Sequence, residues 1–205
     1  MLDISLSLDC LLKKDPTLQD LFYDPPIENL HSETNYFQSI VRSIIYQQLS
    51  GKAAKKIHGR FIDLFNLEEY PTPKDVLKIS DEIFRSAGLS YMKAGYIKNV
   101  AIYFIDNPKV ISTLDQKSDQ EIINLISSIK GVGVWTVQMF LMFTLNRPDI
   151  FPVTDLALQK GYSAYYKKKN LVDPKKMLNH SKEWIPHRTT MSLYLWRYLE
   201  GPFEW

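Results

Sequence analysis

Apolar positions along the chain recur mostly with the spacing of a helix. Phe37, Ile40, Val41, Ile44 and Ile45 fall at i, i+3, i+4, i+7 and i+8, one stripe of an amphipathic helix. Ile122, Leu125, Ile126 and Ile129 repeat the pattern behind Ser118-Asp119-Gln120-Glu121, whose Ser and Glu have the spacing of a capping box. From Trp135 to Leu145 the chain is apolar nearly all round, which predicts a short helix buried on every side. A last helix is expected from about Thr189 to Leu199. Against these stands one strand-like stretch, LDISLSL at residues 2–8, which alternates with period two but is short and has no partner strand. The expected fold class is all-α.

Turn-forming residues punctuate this pattern at Asp24-Pro25-Pro26, Pro71-Thr72-Pro73, Gly88, Gly131-Val132-Gly133 and from Pro148 to Thr154. None of these is long enough for a flexible linker, and there is no internal repeat. A two-lobed helical body joined by short loops is expected. Composition narrows the chemistry. A single cysteine, Cys10, excludes a disulfide framework, a Cys-rich zinc site and an iron–sulfur cluster held by four cysteines. The 25 basic and 23 acidic residues leave a net charge of +2, too balanced to identify a nucleic-acid partner by itself. No run is long and apolar enough to span a bilayer. Asp3 and the absence of a basic start make a poor signal peptide. The expectation is a soluble protein with no membrane partner, cytoplasmic, or nuclear if the source is a eukaryote. The four histidines, His31, His58, His180 and His187, lack metal-ligand spacing. His31-Ser32-Glu33 imitates half of a zinc-deaminase signature whose C-x-x-C half is missing.

The most informative stretch is Ile129-Lys130-Gly131-Val132-Gly133-Val134-Trp135-Thr136, which follows one amphipathic helix and opens another. Two glycines one residue apart allow a tight turn and leave amide N–H groups at the positive end of a helix, an anion-binding arrangement to which Lys130 adds a cation. With only eight glycines in 205 residues, two within three positions suggest that backbone geometry requires both. A dinucleotide fingerprint is excluded because no strand precedes the pair and the third glycine is missing. The helix–IKGVG–helix unit instead resembles a helix–hairpin–helix element, which grips DNA phosphates without reading sequence. Farther on, Thr154 is the expected N-cap of a helix whose first turn holds Asp155, an acid favoured there by the dipole. Asp155 follows Gly133 by 22 residues.

Over residues 35–200 the chain resembles the DNA-3-methyladenine glycosylase II family of the helix–hairpin–helix DNA glycosylase superfamily. Four blocks carry the resemblance. They are Arg42-Ser43-Ile44-Ile45-Tyr46-Gln47-Gln48-Leu49-Ser50 with Lys52-Ala53-Ala54, Gly88-Leu89-Ser90-Tyr91-Met92-Lys93 with Tyr96 and Ile97, the IKGVGVWT hairpin with Asp155, and Trp184-Ile185-Pro186-His187-Arg188 leading into Ser192-Leu193-Tyr194-Leu195-Trp196. The resemblance implies a two-lobed glycosylase fold with the active site in the cleft between lobes. One lobe, of six helices, would span 35–154 and carry the hairpin at about 122–145; residues 1–34 and 155–205 would form the second, also helical. Larger family members add an N-terminal β-rich domain, which is not expected within the roughly 34 residues ahead of the first block.

The implied activity is excision of alkylated purines of the 3-methyladenine and 7-methylguanine type, opening base-excision repair of double-stranded DNA, by a protein acting as a monomer. By the same resemblance Asp155 is the catalytic carboxylate, stabilising the oxocarbenium-like sugar and orienting water. Bifunctional relatives carry a nucleophilic lysine two positions after the second hairpin glycine. Trp135 stands there, and an indole cannot form a Schiff base, so no AP-lyase activity is expected. An alkylated purine is cationic and suits an aromatic face. Trp135 is the first candidate for that face, with Tyr46 and Trp184 behind it. Met139 stands where the family often has an aromatic residue, and His187 is a candidate to approach the base or a phosphate. The turn Gln47-Gln48-Leu49-Ser50 occupies the family's wedge position. Gln48 aligns best with the inserted residue and Leu49 is the chemically better wedge.

Phosphate contacts are expected from Lys130, Gly131 and Gly133, and from Lys52, Lys55, Lys56 and Arg60 on one helix face. Lys160 and the run from Lys167 are candidates to extend that surface. Main-chain carbonyls of Ser127, Ile129 and Val132 are implied to hold a structural Na+ or K+ that bridges to phosphate; no other cofactor is expected. Two rival readings stay open: excision of another purine lesion, deaminated or oxidised, and a non-catalytic helix–hairpin–helix DNA-binding module. Asp155 argues against the second, because a phosphate grip has no use for a carboxylate.

Overall fold

The structure is a computed structural model that describes residues 2–22, 25–30, 33–49 and 51–201. Asp24 of the first expected turn, His31 and Ser32 of the zinc-like triplet and Ser50 of the wedge turn lie outside the described residues. Twelve α-helices and no strand run through the described residues. They are α1 (Ile4–Lys14), α2 (Tyr36–Tyr46), α3 (Gly51–Asp63), α4 (Pro73–Lys78), α5 (Asp81–Ser86), α6 (Tyr91–Asp106), α7 (Pro108–Ile111), α8 (Asp119–Ser127), α9 (Val134–Phe143), α10 (Leu156–Tyr165), α11 (Pro174–His180) and α12 (Arg188–Glu200). None of these is long and apolar enough to cross a membrane.

The strand-like alternation at residues 2–8 is helical. The Asp3 side chain caps α1 by accepting from Leu6 N, and the buried residues are Ile4, Ser7 and Leu11, the i, i+3, i+7 face of a helix. Leu6, which the alternation would bury, is 58% exposed. Ser118 and Glu121 form the expected reciprocal capping box on α8. A second box, Thr72 with Asp75, starts α4.

Two compact units are present, Glu33–Phe140 and Met1–Ser32 with Leu141–Trp205, so the division falls inside α9. In the first unit, Ile40, Val41, Ile44 and Ile45 of α2 and Ile97, Val100 and Ala101 of α6 are fully buried. Phe61 of α3 stacks on Phe84 of α5 with ring centroids 5.9 Å apart.

The second unit joins the two ends of the chain. The hydroxyl of Tyr194 on α12 accepts from Ile27 N at 3.0 Å, and Arg197 donates to the Pro25 carbonyl at 2.5 Å. Lys14 on α1 reaches the Ile185 carbonyl at 2.9 Å. Leu2 N donates to the Asn146 carbonyl, and Asn146 Nδ2 to the Leu30 carbonyl. Helices α10 and α12 run in direct contact at Gly161, where a Cβ would lie 2.1 Å from the Leu195 carbonyl oxygen.

Candidate active site

In the unit of residues 33–140, the hairpin connects α8 to α9. Gly131 has a φ of +99°, and a Cβ on it would lie 2.0 Å from Cγ of Tyr96 on α6. Both observations demand glycine. Asn99 of α6 fixes the same loop by donating to the Lys130 carbonyl at 3.0 Å. Gly133 differs: a Cβ there would meet nothing within 4 Å. The expectation that internal geometry requires both glycines therefore holds for Gly131 only. What Gly133 preserves is open space outside the protein, at the residue whose carbonyl accepts from Val137 N at the start of α9. Lys130 is exposed beside it. Gly131→Ala is expected to lower stability by about 2–4 kcal/mol, combining a disfavoured φ with the Tyr96 overlap. Gly133→Ala should leave thermal unfolding unchanged while weakening DNA binding, a contrast read by calorimetry and titration of a labelled duplex.

The turn expected to act as the wedge stands at the end of α2. The Gln47 side chain donates to Thr136 Oγ1 of α9 at 2.8 Å and to the Gly131 carbonyl at 3.5 Å. Gln48 adopts a left-handed φ of +58° and is exposed, as is Leu49 at 40%. Lys93, at the start of α6, donates to the carbonyls of Ile45 and Gln47, both at 2.8 Å. Burial holds its ammonium below the ordinary lysine value. Lys52, Lys55, Lys56 and Arg60 are exposed on α3, and Arg60 Nε donates to the Lys56 carbonyl at 3.3 Å. Trp135 is half-buried in the first turn of α9, and Tyr46 is half-buried with the Arg42 guanidinium 5.5 Å from its ring centre. Met139 is only 1% exposed and belongs to the core. Ser127 ends α8, and the Ile129 carbonyl accepts from Val132 N at 3.0 Å.

In the unit holding both termini, Asp155 is not in the first turn of α10: it is the N-cap itself. Asp155 N donates to the Pro152 carbonyl at 2.9 Å, and this Pro-containing turn leaves Asp155 extended, with φ −72° and ψ 123°, ahead of Leu156. Thr154 therefore does not cap. Asp155 Oδ1 accepts from Leu158 N at 2.7 Å and from the Trp196 indole Nε1 at 2.9 Å. Trp196 is steadied by stacking on Phe143, centroids 6.2 Å apart.

The loop before Asp155 is clamped onto the start of α12. Arg188 makes a bidentate ion pair with Asp149, Nε to Oδ1 at 2.6 Å and Nη2 to Oδ2 at 2.7 Å. Thr189 Oγ1 donates to the Arg147 carbonyl and accepts from Ile150 N. Gln159 Nε2 returns to the Val153 carbonyl at 2.8 Å.

Trp184 is 3% exposed, its ring packed among Phe151, Tyr162 and His180. His187 is half-buried. The Ser7 hydroxyl donates to the Asp3 carbonyl at 2.6 Å, so at 3.0 Å it accepts from Nδ1–H of His187. Burial and the nearby Lys14 charge hold this imidazole below its ordinary value, against the pull of Asp149. A neutral ring with its one proton on Nδ1 offers Nε2 as an acceptor, which suits a base edge and not a phosphate. Lys160 and Lys167 to Lys169 are exposed. Among the described residues, no group of three or more His, Cys, Asp or Glu side chains is placed to hold a metal ion.

Sequence reasoning missed four of these residues as positioning groups: Gln47, Lys93, Asp149 and Trp196. Gln47, Lys93 and Trp196 lie in the family-like blocks, but partners 41 to 89 positions away leave no mark in local spacing.

Residues 41–187 match the HhH-GPD superfamily of base excision DNA repair proteins. DNA-3-methyladenine glycosylase 1 of Schizosaccharomyces pombe is 34% identical over 164 residues, covering 78% of this chain and 71% of that protein. A DNA-3-methyladenine glycosylase of Saccharomyces cerevisiae is 29% identical over 90% of this chain and 68% of its own length. Among solved structures, the S. pombe 3-methyladenine DNA glycosylase in complex with abasic DNA superposes with a TM-score of 0.85 at 29% identity, over 98% of this chain and 99% of that one. Fold, hairpin and family match agree: the chain belongs to the HhH-GPD superfamily of base excision DNA repair proteins.

Proposed function

We propose that the protein is a monofunctional DNA glycosylase that excises alkylated purines from duplex DNA and leaves an intact abasic site. The observation that carries the reading is the Asp155 carboxylate, held by Leu158 N and Trp196 Nε1 in a chain of the base-excision superfamily. As the N-glycosidic bond lengthens, the sugar gains positive charge. A carboxylate with a fixed orientation stabilises that charge without reorganising and directs the incoming water. Alkylation at N3 or N7 makes the purine a cation and a better leaving group. The half-buried indole of Trp135 offers it a π-face, with Tyr46 as a second.

The hairpin amides, Lys130 and the α3 cations Lys52, Lys55, Lys56 and Arg60 neutralise phosphates on this reading, with Gly133 leaving room for close approach. Gln48 and Leu49 fill the gap left by the flipped nucleotide. The carbonyls of Ser127, Ile129 and Val132 suit a hard monovalent cation; that of Ile129 keeps one lone pair beyond its bond to Val132 N.

The test is base release. The protein is incubated with methylated genomic DNA and with duplexes holding hypoxanthine or 8-oxoguanine, and the freed bases are quantified. Release of 3-methyladenine and 7-methylguanine is expected. Release confined to another lesion reassigns the substrate, and no release rejects the enzyme. Borohydride should trap no covalent complex, since Trp135 cannot form an imine.

A further inference from the structure

Helix α2 ends where the wedge turn begins, and each carbonyl from Ile44 to Gln47 has an identified partner. Ile44 accepts from Gln47 N and Tyr46 from Leu49 N. The other two, Ile45 and Gln47, accept from the single ammonium of Lys93 on α6. A cation at this position also opposes the negative end of the α2 dipole. Immediately beyond Gln47, Gln48 is held at φ +58°, a conformation that non-glycine residues adopt only when their surroundings impose it. The side chain of Gln47 leaves the same point in the other direction, to Thr136 Oγ1 and the Gly131 carbonyl of the hairpin. Main chain and side chain of one residue thus tie the turn to both α6 and the hairpin, while Gln48 and Leu49 stay exposed.

We propose that Lys93 and Gln47 form a latch that holds the Gln48-Leu49 turn rigid against the hairpin, so that insertion into the duplex and the grip on phosphate act as one body. Lys93 is a positioning residue on this view: it touches neither base nor sugar. The proposal rests on the reading of the turn as a DNA wedge. A loose turn would yield when pushed into stacked bases, and the cost would fall on flipping and not on bond cleavage. Single-stranded DNA, which has no partner strand to displace, would not feel the loss.

Lys93→Met keeps the aliphatic stem and removes both donors; Lys93→Arg restores a cation with several donors. Single-turnover release of 7-methylguanine is measured from methylated duplex and from the same DNA as single strands. In parallel, 2-aminopurine fluorescence beside a tetrahydrofuran site reports insertion without any chemistry. For Lys93→Met the duplex rate is expected to fall roughly ten- to a hundredfold, with the single-strand rate within about twofold of wild type. The fluorescence change is lost, duplex binding is kept, and Lys93→Arg recovers most of the duplex rate. Gln47→Leu, cut from the other end of the latch, should show the same duplex-selective loss if Lys93→Met does not fold. Equal losses on both substrates, or no loss on duplex, overturn the latch. If wild type releases no base yet shows a fluorescence change that Lys93→Met abolishes, the glycosylase reading fails and the latch stands. If wild type shows no fluorescence change, the latch is rejected.

Discussion

Asp155→Asn lowers the single-turnover rate of base release by about two to three orders of magnitude, the usual consequence of removing one preorganised electrostatic partner of a transition state. The substitution isolates charge from structure. An asparagine carbonyl can still accept from Leu158 N and from the Trp196 indole, as Oδ1 does. Asn also caps a helix about as well as Asp, so thermal unfolding should move little. What disappears is the negative charge proposed to face the developing oxocarbenium. Duplex binding, which the proposed function assigns to phosphate contacts on the hairpin and α3, should persist or tighten slightly. An Asp155→Asn protein that releases bases at the wild-type rate removes the carboxylate from the mechanism. One that is inactive and unfolded shows that the Asp155 charge serves the fold and leaves its catalytic role unsupported.

The largest loss of stability is expected at Gly161. A Cβ there would lie 2.1 Å from the Leu195 carbonyl oxygen and 2.9 Å from its carbon, backbone atoms that move only if α12 moves. Gly161→Val should destabilise by more than about 3 kcal/mol, the range of severe overpacking. For a chain of this size that lowers the unfolding midpoint by roughly 6–12 °C. Trp196 follows Leu195 on the same helix, so the variant should also lose activity at temperatures where it remains folded. Gly95 is the control: a Cβ in its place on α6 meets nothing within 4 Å. There Ala should stabilise by about 0.5–1 kcal/mol through helix propensity alone. A Gly161→Val midpoint within a degree of wild type would mean that α10 and α12 do not meet as described.

Helix content was legible because periodicity and capping chemistry are local. The 37–45 stripe and the Ser118–Glu121 box both stand where the pattern put them. Local reading misplaced the cap of α10 by one residue. Thr and Asp are comparable caps, and the turn closed by Asp155 N on the Pro152 carbonyl decides between them. It was also ambiguous at LDISLSL, where alternation and helical spacing share Ile4 and only burial separates them. Within the candidate site, residue identities could be read by resemblance, but their supports could not. Nothing along the chain says that Trp196 donates to Asp155 or that Arg188 grips Asp149, because each pairing depends on how distant segments pack. Burial also separated the aromatic candidates: Trp135 is half-buried, whereas Trp184 is enclosed by other rings.

The unit that joins Met1–Ser32 to Leu141–Trp205 has a consequence for biosynthesis. Residues 33–140 are contiguous, so that unit can complete its contacts while later residues are still being added. Helix α1 cannot. The Ile185 carbonyl that Lys14 binds and the α12 side chains that hold Pro25 and Ile27 leave the ribosome long after it. Until then Lys14, Pro25 and Ile27 lack those late-made partners. The carboxylate at Asp155 shares this timing, because its indole partner Trp196 belongs to α12. Translation stopped short of α12 would leave the hairpin able to fold and Asp155 without its indole partner.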